Sequence, residues 1–233
     1  QGIKAVSDYV HARKMKLIVW FEPERAAPNT WLTANHPEWI FGGAAGGVVN
    51  LGHPEAWNWI VNRVDQLITG QGIDVYRQDF NVDPLKYWRA NDAADRQGIT
   101  ENKHVCGYLA YWDELQRRHP GMMIDSCAGG GRRNDLETLR RAVPLLRSDY
   151  QSFAGDPAYI NGNQGQTYGL SSWIPFYGTG VYFNPVRMTE SMRSHLCPSF
   201  GICVDVRKDG IDWDLYRKLV AQWRQVAGCM LGD

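Results

Sequence analysis

Apolar residues along this chain fall alternately into short continuous runs and into stripes of helical period, the pattern of alternating strands and helices. A helical pattern over residues 3–14 feeds the run KLIVWFEP (16–23), a strand pattern closed by Pro23 that leaves Glu22 and Glu24 at a strand end. Residues 25–51 hold two Pro and four Gly and predict a long loop ending in a short strand or turn at 48–51. In PEAWNWIVNRVDQLIT (54–69), Pro54 occupies a first-turn position and apolar residues recur at 57, 60, 61, 64, 67 and 68, so an amphipathic helix is expected, stopped by Gly70. IDVYRQDFN (73–81) predicts a strand ending at Asp79, and a helix follows over 107–120. GMMIDSCAGGG (121–131) reads as a strand with a glycine-rich exit, and 133–144 as a helix stopped by Pro144. LLRSDYQ (145–151) is expected to be the next strand, ending at Asp149. Residues 152–171 predict a loop rich in Gly, Asn and Gln, followed by an irregular aromatic segment SSWIPFYGTGVYFNP (171–185). A final strand, SFGICVDV (199–206), precedes an amphipathic helix over 211–228.

This order predicts an α/β fold with a parallel sheet or barrel, whose active site lies at the C-terminal ends of the strands. Asp79 and Asp149 stand at such ends, where two carboxylates distant in sequence can meet across a pocket. Taken singly, each equally suits the cap of the loop or helix that follows it. The pattern yields about six strands, fewer than the eight of a closed barrel.

Composition narrows the picture. At 233 residues and 44% hydrophobic, the chain supplies one core of α/β-barrel size, so residues 1–233 are expected to form one domain. Lys plus Arg equal Asp plus Glu at 25 each, which argues against nucleic acid or an anionic membrane as partner. No run approaches the roughly 18 apolar residues of a membrane span. The five cysteines lack CxxC spacing and are expected to be reduced and structural. Ten Trp and eleven Tyr exceed the needs of the core, and many lie near the proposed strand ends: Trp20, Phe21, Trp31, Trp39, Tyr76, Phe80, Tyr150, Trp173, Phe176 and Tyr177. Such rings match the C–H face of a pyranose in sugar-binding clefts, and they equally fill a barrel core.

Other chemistries are excluded on spacing. Asp79, Asn81 and Asp83 open like a calcium loop, but Pro84 stands where the loop needs Gly and Ala90 where it needs Glu. Gly129 to Gly131 lack the Lys-Ser/Thr of a phosphate loop, and their expected use is a tight turn that brings backbone N–H groups near a ligand hydroxyl. The six His show no paired metal-ligand spacing and no Ser sits in a GxSxG elbow, so no metal or cofactor is expected and carboxylate chemistry remains. Glycosidic cleavage fits two carboxylates held in different environments.

Four ordered strings, KLIVWFEPE, RQDFN, DSCAGGG and RSDYQ, resemble the successive motifs of glycoside hydrolase family 36, the α-galactosidase or melibiase family. The resemblance implies a (β/α)8 barrel enzyme of retaining mechanism acting on an α-linked galactoside, with Asp79 as nucleophile and Asp149 as acid/base. It also implies sugar contacts from Trp20, Arg77, Asn81, Cys127, Gly129 and the glycines after it, and from Tyr150. Three positions depart from the pattern. Arg77 replaces the usual Lys, Tyr150 stands where Trp or Asn is common, and residues 44–46 lack the family's sugar-binding Arg. Strands one and two and the flanking β-domains are expected to lie outside this chain, leaving an open barrel edge that invites pairing into a homo-oligomer. Two rival readings keep the same barrel, an α-N-acetylgalactosaminidase and a non-catalytic carbohydrate-binding homologue or inactive fragment, and a third is a different α/β hydrolase acting on a small polar ligand.

Overall fold

The computed structural model describes residues 2–182 and 187–231, which divide into two compact units, Gln1–Ala128 with Asp135–Ala142 and Gly129–Asn134 with Val143–Asp233. In chain order the first unit contains α1 (Lys4–His11), β1 (Ile18–Phe21), β2 (Arg25–Ala26), α2 (Trp31–Asn35), β3 (Gly47–Val48), α3 (Pro54–Gln71), β4 (Val75–Gln78), α4 (Leu85–Ala90), α5 (Ile99–Arg118), β5 (Met123–Ser126) and α6 (Leu136–Leu139). Strands β1, β4 and β5 form a parallel sheet in that order, with Trp20, Arg77 and Asp125 in one row across it. Helical crossovers join the parallel neighbours, as the alternation predicts. β2 and β3 pair antiparallel within the long loop.

The core of this unit lies between the sheet and its helices. Helix α3 buries Ala56, Ile60, Val61, Val64 and Ile68, one stripe at helical spacing, and each large aliphatic so removed from water contributes about 1.5–3 kcal/mol. Pro54 starts the helix as expected, but it runs past Gly70 to Gln71. Gly72 caps it in the left-handed region at φ 66°, and its N–H donates to the Ile68 carbonyl. Facing α3, the α5 side chains Tyr108, Tyr111, Trp112 and Leu115 are buried against Tyr76 and Ile124 of the sheet.

The second unit holds α7 (Tyr159–Ser171), β6 (Gly178–Tyr182), α8 (Met188–Ser194), β7 (Ser199–Cys203) and α9 (Trp213–Val226). β6 and β7 pair in parallel, and Val181, Met188, Met192, Tyr216 and Leu219 form a core beneath them. Three expectations are corrected here. The segment LLRSDYQ is not a regular strand: Arg147 N–H bonds the Gly178 carbonyl and Gly178 N–H bonds the Pro144 carbonyl, and the chain then tightens into a 3-10 turn at Asp149–Ser152. Most of the expected loop over 152–171 is helix α7. The aromatic segment SSWIPFYGTGVYFNP contains strand β6; its residues 183–185 lie outside the described residues.

Most of the aromatic residues near strand ends serve the cores. Tyr76 and Tyr177 are fully enclosed, Trp39 and Phe80 are buried, and Trp31 stacks on Trp59 at 5.5 Å. Trp20 on β1 is half-exposed, and Trp31 and Trp173 are exposed as well. Among the described residues no helix is long and apolar enough to cross a membrane.

Candidate active site

Strand alternation sorts the residues of the first unit onto two faces. Tyr76 and Gln78 point toward the helices, whereas Arg77 points to the opposite face with Trp20 and Asp125, its neighbours in the parallel register. Asp79 follows Gln78 directly and belongs to the Arg77 face. Its backbone N–H donates to the Phe21 carbonyl at 2.8 Å, which extends the β1–β4 ladder by one bond and fixes where the side chain leaves the sheet.

The Asp79 carboxyl is buried, and both oxygens accept N–H donors: Oδ1 from the Phe80 amide at 2.7 Å and Oδ2 from the Trp20 indole at 3.2 Å. Acceptance on both oxygens is what an ionised carboxylate offers. Beside it, Arg77 Nη1 donates to Asp125 Oδ2 at 2.5 Å. Burial works against the Arg77 charge, but the Asp125 carboxylate outweighs it and raises the Arg77 pKa above the ordinary arginine value. Asn81 is exposed, its backbone N–H held by Glu22 Oε1 at 2.6 Å, and Glu22 also pairs with Arg25. Cys127 is buried one step past β5, with its N–H on the Gln78 carbonyl at 2.7 Å. The first unit thus gathers Trp20, Arg77, Asp79, Asn81 and Cys127 at the C-terminal ends of β1, β4 and β5.

The remaining candidates, Gly129, Asp149 and Tyr150, belong to the second unit. Asp149 is exposed and opens the 3-10 turn, where the Ser148 hydroxyl accepts from Tyr150 N–H at 3.1 Å. Gly129 and Gly130 take φ of 53° and 84°, and a Cβ on Gly130 would stand 3.1 Å from the Asp149 nitrogen and 3.5 Å from its carboxyl carbon. A Cβ on Gly131 would come within 2.6 Å of the Arg147 carbonyl oxygen. The glycines therefore let two backbone segments close on each other, and Gly130 lies directly against Asp149. Tyr150 reaches Asp156 Oδ2 with its hydroxyl at 3.2 Å. Gln151 ties the turn to β6, its Oε1 accepting from Thr179 Oγ1 at 3.0 Å and from Gly180 N–H at 2.6 Å. Arg147, two residues before Asp149, is buried and spends its guanidinium on Thr167 Oγ1 and the Asn163 carbonyl. Burial lowers its pKa below the ordinary arginine range.

Two groups escape a reading of motifs alone. Asp125 lies inside DSCAGGG, and only the parallel register shows that it is the partner of Arg77. The other is a buried polar chain behind the sheet, built on Glu24, Gln78 and His104. Glu24 stands at the strand end that Pro23 creates, but its partners are remote in sequence and carry no local pattern. Among the described residues no cluster of His, Cys, Asp or Glu converges as a metal site.

A family model described as Melibiase matches residues 1–156. The α-galactosidase of Escherichia coli is 28% identical over 97% of this chain and 33% of its own length. The α-galactosidase Mel36A of Lactobacillus acidophilus is 27% identical over 64% of this chain and 21% of its own length. The chain therefore spans about a fifth to a third of these relatives. Among solved structures, the α-galactosidase from Lactobacillus brevis superimposes on all of this chain and 33% of its own, with a TM-score of 0.83 at 22% identity. A GH36 α-galactosidase AgaA variant from Geobacillus stearothermophilus in complex with raffinose covers 97% of this chain and 33% of its own, with a TM-score of 0.82 at 20% identity.

Proposed function

Because the chain belongs to the melibiase family, glycoside hydrolase family 36, we propose that it carries the two catalytic carboxylates of a retaining glycosidase that releases terminal α-linked galactose from oligosaccharides. The observation that carries the reading is Asp79: a buried carboxylate at the end of a parallel strand, accepting N–H donors on both oxygens beside a half-exposed indole and an Arg–Asp pair. The raffinose bound to the Geobacillus relative supports an α-galactoside as substrate class. In the same reading, residues 1–233 are a (β/α)8 barrel from about its third strand onward, and the parallel, helix-connected strands within each unit support it.

The chemistry proceeds in two displacements. In the first, an Asp79 oxygen attacks the anomeric carbon from the β face, the glycosidic C–O bond breaks, and Asp149 gives its proton to the departing oxygen. Asp79 is then joined to the sugar as a β-linked ester. In the second, water loses a proton to Asp149 while its oxygen displaces Asp79, releasing α-galactose and restoring both groups. Trp20 offers a flat apolar face to the pyranose, and Arg77, Asn81, Cys127, Gly129 and Tyr150 surround the sugar in this assignment.

The test uses the complete polypeptide with two substrates, an aryl α-galactoside and raffinose. Asp79→Ala is expected to lower turnover of both by orders of magnitude, since the attacking atom is gone. Asp149→Ala should be mild on the aryl substrate, whose leaving group needs little protonation, and severe on raffinose. Azide should partly rescue Asp149→Ala on the aryl substrate by attacking the galactosyl ester, giving the α-configured azide. Equal losses of the Asp149→Ala variant on both substrates, or no loss in either variant, would refute the roles and favour a non-catalytic carbohydrate-binding homologue.

A further inference from the structure

Glu24 is 0% exposed, and so are both of its partners, Gln78 and His104. Its Oε1 accepts from Gln78 Nε2 at 2.7 Å and its Oε2 faces His104 Nε2 at 2.8 Å. The other end of the Gln78 amide is equally committed, since its Oε1 accepts from the Tyr76 hydroxyl and from the Trp112 indole, each at 2.7 Å. His104 in turn stacks on the Phe80 ring, with centroids 6.1 Å apart and planes 22° from parallel. Gln78 and Phe80 are the residues immediately before and after Asp79. Both neighbours of the candidate nucleophile are thus fastened, one by a hydrogen bond and one through a stacked ring, to the same buried carboxylate.

Burying a carboxylate costs several kcal/mol unless its oxygens are matched by donors, and an apolar group of similar size would fill the same space without that cost. A buried acid anchored on both sides of another acid therefore calls for a role beyond packing. We propose that Glu24 is a positioning residue for Asp79: by holding Gln78 and Phe80 it fixes the last turn of backbone from which the Asp79 carboxyl leaves β4. The inference rests on the reading of Asp79 as nucleophile. Reacting atoms must lie about 3–3.5 Å apart and aligned, and a misplacement of about 1 Å costs on the order of 100-fold in rate. Geometry and not charge is what Glu24 supplies. A glutamine there keeps an oxygen for Gln78 and offers an N–H to His104 in the tautomer protonated on Nδ1, a nitrogen that has no hydrogen-bond partner among the described residues.

The experiment labels the complete polypeptide with a ring-fluorinated α-galactosyl fluoride. This reagent loses fluoride as the carboxylate attacks and leaves a slowly hydrolysed galactosyl ester that peptide mass mapping locates. Glu24→Ala is expected to slow formation of the Asp79 ester by roughly 10- to 100-fold at saturating reagent, with the half-saturating concentration changed less than about threefold. Glu24→Gln should label within about threefold of the unaltered protein. Equal labelling rates in Glu24→Ala and the unaltered protein would overturn the inference, as would a Glu24→Gln as slow as the alanine variant. Should Glu24→Ala fail to fold by circular dichroism, Gln78→Met and Phe80→Leu cut the tie on either side of Asp79, and unchanged labelling rates in both overturn it equally. An ester on a residue other than Asp79 in the unaltered protein would instead overturn the nucleophile assignment, so the two failures are told apart.

Discussion

Acidification from about pH 7 to about pH 4 brings a proton to a histidine that has no access to water. His195 is 0% exposed in the second unit, where its Nδ1 lies 2.6 Å from the Ser191 carbonyl oxygen and its Nε2 lies 3.2 Å from the Tyr159 hydroxyl. A carbonyl only accepts, so Nδ1 carries the proton and Nε2 is the bare nitrogen. Burial pushes the ring pKa down from 6.5 to about 4; the Ser191 carbonyl opposes that shift and the nearby Arg147 charge adds to it. The sign follows from counting protons. Between 6.5 and about 4 the unfolded chain holds a proton on this ring that the folded chain lacks, so lowering the pH through that window favours unfolding. Above 6.5 both states are neutral and stability is flat with respect to this group; below about 4 both are charged and no more is lost. The drop from 6.5 to about 4, with each tenfold change in proton affinity worth about 1.36 kcal/mol, puts the loss at about 3 kcal/mol. The measurement compares urea midpoints of the unaltered protein with those of His195→Asn, whose side-chain amide can still donate to Ser191 but does not titrate. The stability difference between the two should be constant near neutrality, fall by about 3 kcal/mol as the pH drops to about 4, and then level off. A difference that stays constant across that range, or grows as the pH falls, would refute the reasoning.

Three further perturbations follow from particular contacts. Gly72→Ala puts a Cβ at φ 66° and 2.6 Å from the Ser7 hydroxyl, which now donates to the Gly72 carbonyl, so a loss of about 1–2 kcal/mol is expected in the urea midpoint. Leu115→Ala empties a fully buried site on α5 and should cost about 2–5 kcal/mol, whereas Leu136→Ala, at a side chain 73% exposed, should stay within about 0.5 kcal/mol; equal costs would contradict the burial pattern. Burial raises the Cys197 thiol to about 11, so a thiol reagent at neutral pH should label exposed Cys106 and Cys229 in the native protein and reach Cys197 only under denaturant, as peptide mapping of the labelled sites would read.

The main sheet of the first unit and the buried stripe of α3 were legible in the sequence because they announce themselves locally. Strands β1, β4 and β5 are short apolar runs with clear stops, and α3 has a proline start and a five-residue buried stripe. By contrast, α2 fell inside an expected loop, α5 begins at Ile99, ahead of the helix expected from 107, and the helix expected over 133–144 is only Leu136–Leu139. The second unit hides its elements behind glycine. Helix α7 carries Gly162, Gly165 and Gly169 and presents only Tyr159, Ile160 and Asn163 to the interior, too narrow a face to register as a helical stripe. It is held from outside its own sequence: Arg147 donates to the Asn163 carbonyl, and Tyr159 donates to the Gln151 carbonyl at 2.7 Å. Strand β6 reads GTGVY, and its glycines mark close approach: a Cβ on Gly178 would stand 2.3 Å from the Leu145 carbonyl oxygen. The same approach diverts LLRSDYQ, since that segment spends its backbone groups on Gly178 and then turns at Ser148.

The candidate site divides along a similar line. Asp79 was visible because strand end and carboxylate coincide in one string. The groups that hold it were not, because none of their contacts is local: Trp20 reaches Asp79 across 59 positions, Gln78 reaches Glu24 across 54 and His104 reaches Glu24 across 80. Parallel sheets make this unavoidable, since neighbouring strands are separated by whole helices and every lateral contact spans a crossover. Within such a sheet the register carries the missing information. Once Trp20, Arg77 and Asp125 are known to share a row, alternation puts Tyr76 and Gln78 on the far side, and a glutamine enclosed there must find partners on the helices and the loop after β1. A polar residue next to a strand-end carboxylate, on the face where an aliphatic side chain is expected, is therefore the local trace of a distant support.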